Sequence, residues 1–148
     1  VREEPYLIEY NVRMGDPECQ TILPRLKTDF YQIIDACINK NLDKINIQWS
    51  EKKSLCIVLC SKGYPEEYEN HINIDNLNTL KTKTDEFIFH AGTLIQKNQI
   101  VSNGGRVLNF TVLSNNFDES RKRAIKLIDE LNWKNGFFRK DIGFKVID

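Results

Sequence analysis

The 148-residue chain is 41% hydrophobic and 28% charged, the make-up of a polypeptide that can bury one real core. Lys+Arg and Asp+Glu both number 21, so the formal net charge is zero and no long-range field favours nucleic acid or an anionic membrane. No apolar run approaches the ~18 residues of a membrane-spanning helix and no secretory signal opens the sequence, so a cytoplasmic protein is expected.

Tyr6 to Arg13 reads as a strand. Tyr6, Ile8, Tyr10 and Val12 point to one face, and Leu7, Glu9, Asn11 and Arg13 to the other, with side chains on one face roughly 6–7 Å apart. A carboxylate and an amide oxygen on one face suit Mg²⁺, which takes oxygen ligands and shares them with phosphates. An arginine two residues on could hold a phosphoryl or acyl oxygen. A solvated polar strand face is the plain alternative. Gly15 then permits a sharp turn, and Asp16-Pro17 reads as a helix cap followed by a first-turn proline.

Cys19, Ile22, Leu23 and Leu26, then Phe30, Ile33, Ile34, Cys37 and Ile38, follow helical spacing, broken at Pro24 and recapped at Thr28-Asp29. Residues 41–50, with Trp49, read as a connector. Ser54 to Ser61 is an apolar strand closed by the turn Gly63-Tyr64-Pro65. Residues 66–84 are polar, with Ile72, Ile74, Leu77 and Leu80 as anchors. Glu86 to Ala91 and Val107 to Leu113 read as two strands of a long hairpin, joined by a polar loop holding Asn98, Asn103, Gly104 and Gly105. Asp118 is expected to cap a helix with the stripe Ala124, Ile125, Ile128 and Leu131. Gly136 is expected to stop it, and a last strand follows within 137–147.

The four cysteines, Cys19, Cys37, Cys56 and Cys60, show no zinc spacing. Cys56 and Cys60 lie roughly 13 Å apart on one strand face, too far for a disulfide, so buried reduced thiols are expected. No Ser/His/Asp or Cys/His triad is apparent. His71 falls in a polar loop without a role, and a lone His90 beside Phe89 reads first as structural.

The string Glu9-Tyr10-Asn11-Val12-Arg13-Met14-Gly15-Asp16-Pro17-Glu18-Cys19-Gln20 closely resembles the signature of the phosphoribosylamine–glycine ligase family of ATP-grasp enzymes. Met14 and Cys19 depart from that family's usual Phe and Thr, neither at a ligand position. The resemblance continues through Leu23-Pro24-Arg25-Leu26-Lys27 with Asp29, Ser61-Lys62-Gly63-Tyr64-Pro65 with Tyr68, Phe89-His90-Ala91-Gly92-Thr93, Asn103-Gly104-Gly105-Arg106-Val107-Leu108-Asn109 and Phe138-Arg139-Lys140-Asp141-Ile142-Gly143. It implies an α+β chain: the closing strand and helix of an ATP-grasp domain over residues 1–45, then a small β-rich C-terminal domain with one long helix over 46–148. The chain opens on Val1 and its single methionine lies inside the signature, so a piece of a larger protein is expected. Its partners would then include the missing N-terminal and ATP-grasp parts, and it would be inactive alone.

The implied reaction is the ATP-dependent joining of glycine to 5-phosphoribosylamine, through a glycyl phosphate, in purine (IMP) biosynthesis. By resemblance, Glu9 and Asn11 are ligands of the Mg²⁺ or Mn²⁺ that holds the ATP phosphates, with a further acidic ligand upstream. Arg13 is the candidate for stabilising the glycyl phosphate, with an ion pair to Asp16 or Glu18 as its other reading. Asp16 and Glu18 are candidates for the amino group of either substrate, with a helix cap as the alternative for Asp16. Gly104, Gly105 and Arg106, with His90 and Thr93 on the same hairpin, look like the ribose-phosphate hairpin of sister purine ligases. Arg139, Lys140 and Asp141 read as an ion-paired turn. The rival readings are a sister ATP-grasp ribonucleotide ligase or transformylase, and a stand-alone phosphosugar-binding module.

Overall fold

The computed structural model describes residues 5–147. Helix α1 (Glu18–Ile22) runs into a 3-10 turn at Leu23–Arg25, and α2 (Phe30–Ile38) follows. Pro24 lies in that turn, where the α pattern stops. Asp29 caps α2 as its pattern requires, accepting from the Tyr31 amide at 2.9 Å. The connector returns alongside: Lys27 N–H donates to the Gln48 carbonyl at 3.0 Å, and Ser50 N–H to the Arg25 carbonyl at 2.7 Å.

The centre is a four-stranded antiparallel sheet. Its strands are β1 (Lys53–Ser61), β2 (Glu86–His90), β5 (Arg106–Ser114) and β6 (Gly136–Phe137), in the order β2-β5-β1-β6. The register sets Ile57 opposite Phe110, Leu59 opposite Leu108 and Leu55 opposite Val112. This face packs on α3 (Phe117–Leu131) through Ala124, Leu127, Ile128 and Leu131. Phe110 is fully buried there. The other face of the sheet carries Cys56, Val58, Phe87, Phe89, Asn109 and Thr111, and α1 packs against its β1 and β5 strands. The two strands expected as a hairpin do pair, as β2 with β5.

Several expectations give way. Residues 6–13 form no strand, and residues 5–14 are all exposed: a strand needs a neighbouring edge for its N–H and C=O groups, and no described residue offers one. The loop expected after residue 91 contains its own hairpin, β3 (Thr93–Gln96) and β4 (Gln99–Ser102). Lys97 and Asn98 turn it with φ of 50° and 61°, the left-handed pair a two-residue hairpin needs. Helix α3 is capped by Asn116, not Asp118: Asn116 Oδ1 accepts from the Glu119 amide at 2.8 Å, while Asp118 sits in the first turn and pairs with Lys122 at 2.6 Å. The helix ends at Asn132, left-handed with φ 52°, and Gly136 instead opens β6. The last strand, expected within 137–147, is only Gly136–Phe137, and Arg121 donates to the carbonyls of Lys140 and Ile142 in the turns that follow. The four cysteines are free as expected, but Cys37 is exposed and the other three are half-buried, so none is a core thiol. Burial still pushes the Cys56 thiol upward. No helix among the described residues is long and apolar enough to cross a membrane.

Candidate functional site

The signature segment approaches the sheet across the turn Met14–Pro17. Glu9 and Asn11 do share one side, and Asn11 Nδ2 donates to Glu9 Oε1 at 3.1 Å. Both are exposed. One carboxylate and one amide oxygen fit part of the ligand set of a hard divalent cation, which also takes phosphate and water oxygens. Among the described residues no cluster of three His, Cys, Asp or Glu side chains completes such a set. Arg13 makes neither expected ion pair; its guanidinium donates to the Met14 carbonyl at 3.5 Å. Glu18 accepts from the Gly15 amide at 3.0 Å, closing the turn as an acidic residue at a helix start commonly does.

Asp16 is not the cap of α1. Pro17 occupies that position, without a side-chain cap bond. Asp16 instead reaches the sheet. Its carbonyl accepts from Arg106 Nη1 at 2.9 Å, and its Oδ2 lies 3.4 Å from Arg106 Nη2. Its Oδ1 accepts from Asn109 Nδ2 at 3.0 Å and from Gln20 Nε2 at 2.9 Å. A polar cleft of about 420 Å³ lies elsewhere, by Ser61, Lys62 and Tyr68, but the one lined by signature residues is larger. It measures about 630 Å³ and is bordered by Asn11, Arg13, Asp16, Glu18 and Arg106. The fold thus brings Arg106 beside Arg13 and Asn11 from the far end of the chain, and Glu9 joins through Asn11.

The remaining candidates lie apart from that cleft. His90 lines a second, apolar cleft of about 620 Å³ on the other side of the Met14–Asp16 turn, with Met14, Leu23, Pro24, Phe87 and Phe89. Its Nδ1 lies 2.7 Å from Thr93 Oγ1. Phe87 and Phe89 stack there at 6.1 Å between centroids. Gly104 and Gly105 form a packed turn whose carbonyls accept from Ser61 Oγ at 2.9 Å and from the Ser61 amide at 2.8 Å. A Cβ on Gly105 would fall 1.9 Å from Tyr64 Cδ2, so close approach to that ring is what demands glycine. Gly105→Ala is expected to lower stability by about 1–3 kcal/mol through overpacking; urea unfolding of the chain measures it, and an unchanged midpoint would refute the steric reading. Arg139 and Asp141 form the expected exposed ion pair at 2.7 and 3.0 Å. Arg139 holds the Asp141 carboxyl below its ordinary range.

Asn109 and Gln20 escaped the sequence reading. The one signal was a lone amide, Asn109, within the apolar run Val107 to Val112; its partner lies 93 positions away.

An antiparallel sheet backed by one long helix, with Arg13 from the signature segment and Arg106 from β5 bordering one polar cleft, defines an α+β domain. The family model described as phosphoribosylglycinamide synthetase, C domain, matches residues 54–145, and the chain belongs to that family. It is 43% identical over 143 residues to the phosphoribosylamine–glycine ligase of Agrobacterium fabrum, covering 97% of this chain and 33% of that protein. It is 42% identical to the bifunctional purine biosynthetic protein of Dictyostelium discoideum, covering 96% of this chain and 18% of that one. The crystal structure of the Thermotoga maritima phosphoribosylamine–glycine ligase superposes with a TM-score of 0.67 at 27% identity, over 95% of this chain and 34% of that one. The chain therefore spans between 18% and 34% of the length of these relatives.

Proposed function

We propose that this chain is part of a phosphoribosylamine–glycine ligase, and that the complete enzyme joins glycine to 5-phosphoribosylamine at the expense of ATP in purine biosynthesis. What supports the reading, beyond family membership, is the meeting of Asn11 and Arg13 with Arg106 around one cleft. In the proposed reaction a glycine carboxylate oxygen attacks the γ-phosphorus of ATP. The bond to ADP breaks and glycyl phosphate forms. The phosphoribosylamine nitrogen then attacks the acyl carbon, phosphate leaves, and the nitrogen loses a proton to give glycinamide ribonucleotide.

Glu9 and Asn11 are the residues of this chain that would hold Mg²⁺ or Mn²⁺. When bound, such an ion offsets charge on the transferring phosphoryl oxygens. Arg13 lies within reach of the same cleft and would stabilise the acyl phosphate as negative charge develops. Arg106 would pair with the 5-phosphate of phosphoribosylamine. Tyr6, Ile8, Tyr10 and Val12, and on α2 Phe30, Tyr31, Ile34 and Ile38, expose apolar surface that the rest of the enzyme would cover. The chain alone is accordingly proposed to be inactive.

Steady-state assay of the complete enzyme tests this. ADP release must require both glycine and phosphoribosylamine; release that persists when another amino acid or acceptor replaces glycine would point to a sister ligase. Arg106→Ala is expected to raise KM for phosphoribosylamine about 10- to 100-fold, the loss of a charged hydrogen bond, with KM for glycine nearly unchanged. An equal rise for both substrates would remove Arg106 from the phosphate.

A further inference from the structure

The geometry points to Asp16 as a positioning residue for Arg106, seated from beneath by the buried amide of Asn109; the substrate concerned, phosphoribosylamine, rests on the ligase reading above. Arg106 enters the cleft from the first position of β5, and its side chain is 45% exposed. A guanidinium so placed has many rotamers open to it, and ordering it only when an anion arrives weakens binding. Asp16 removes that freedom. Its carbonyl holds Nη1 by a hydrogen bond at 2.9 Å, and its Oδ2 stands 3.4 Å from Nη2 as an ion-pair contact. The other N–H groups of the guanidinium remain for an anion.

Asp16 is itself fixed. Its Oδ1 takes hydrogen bonds from Asn109 and Gln20. An ionised carboxylate only accepts, so it must face the NH₂ end of Asn109. The Asn109 Oδ1 is then turned inward. It is buried without a hydrogen-bond partner, and the whole residue is 1% exposed. Asn109 sits between Val58 and Phe89 on neighbouring strands, where an apolar side chain would avoid that penalty. The arrangement makes sense as a device for holding Asp16. Among the described residues, the hydrogen bonds of residues 9–15 stay within 9–19, so Asp16 carries the polar tie from the signature turn to the sheet.

Asp16→Asn and Asn109→Leu break this chain at its two joints. In Asp16→Asn an amide NH₂ replaces Oδ2 or Oδ1, so a donor faces either Arg106 or Asn109. Hydrogen–deuterium exchange on the 148-residue chain reads the seat without any assay of turnover. The Gly15 and Cys19 amides are expected to exchange at least tenfold faster in both variants, with β5 and α3 amides unchanged. In the complete enzyme, KM for phosphoribosylamine is expected to rise about tenfold while KM for glycine and kcat stay within twofold. Should Asn109→Leu fail to fold, Asp16→Asn decides the matter alone, since its side chain is 39% exposed. Unchanged exchange at Gly15 and Cys19 overturns the seat. A lower KM for phosphoribosylamine in Asp16→Asn also overturns it, because Asp16 would then be only a competing negative charge. If the unaltered enzyme makes no glycine-dependent product, the ligase reading fails, and the exchange result still stands on its own.

Discussion

Glu9→Gln in the complete enzyme is expected to lower kcat about 10²-fold or more while leaving the fold intact. The substitution keeps the shape and one oxygen but removes the charge that a divalent cation needs, and such an ion supplies several kcal/mol of transition-state stabilisation. The fold is indifferent to it. Glu9 is exposed, and its one hydrogen bond among the described residues comes from Asn11 across two positions. A change in stability beyond about 0.5 kcal/mol is therefore not expected. Turnover at saturating Mg²⁺ and the unfolding midpoint, measured together, check both halves. Full turnover would remove Glu9 from the metal. Lost turnover together with a lowered midpoint would assign it to the fold instead.

Arg123→Met is expected to have the largest effect on stability, about 2–4 kcal/mol, because Glu86 would be left as an unpaired buried charge. The Glu86 side chain is only 5% exposed. Its Oε1 accepts from Arg123 Nε at 2.9 Å and its Oε2 from the Lys83 amide at 2.7 Å. Arg123 also donates to the Thr84 carbonyl at 2.9 Å, so one side chain joins α3 to the entry of β2. A quarter of the Arg123 side chain reaches water, which keeps the expected loss below that of a sealed pair. Urea unfolding of the chain gives the number. Adding Glu86→Gln to Arg123→Met is expected to restore part of it, since the stranded charge disappears. A single variant within about 0.5 kcal/mol of the parent would show the pair to be a surface contact.

The spacing of Glu119 and Arg123 along α3 allows an i,i+4 contact, which exists at 3.7 Å. That spacing did not make visible the shorter pair with Glu86, 37 positions earlier, because helix periodicity says nothing about which strand a helix crosses. The same limit applies at the site. Glu9, Asn11 and Arg13 read as one row of a strand that does not form, although Asn11 still meets Glu9 at 3.1 Å. That Arg106 joins them depends on how the signature turn lies against β5, and no pattern within either segment encodes it.

By itself the sequence determined the strands over 54–61, 86–91 and 107–113, the helical spacing from Cys19 to Ile38, the long helix placed after Asp118 and the likeness to one ligase family. Each rests on periodicities of two or of three to four residues, or on turn and cap chemistry spanning a few positions. Only the tertiary structure decided that residues 6–13 stay unpaired, that Asp16 turns from its helix to the sheet, and that Asn109 meets it from the middle of a buried strand. Those outcomes turn on edges and partners up to 93 residues apart, whose hydrogen-bonding groups are satisfied only once register and packing bring them together.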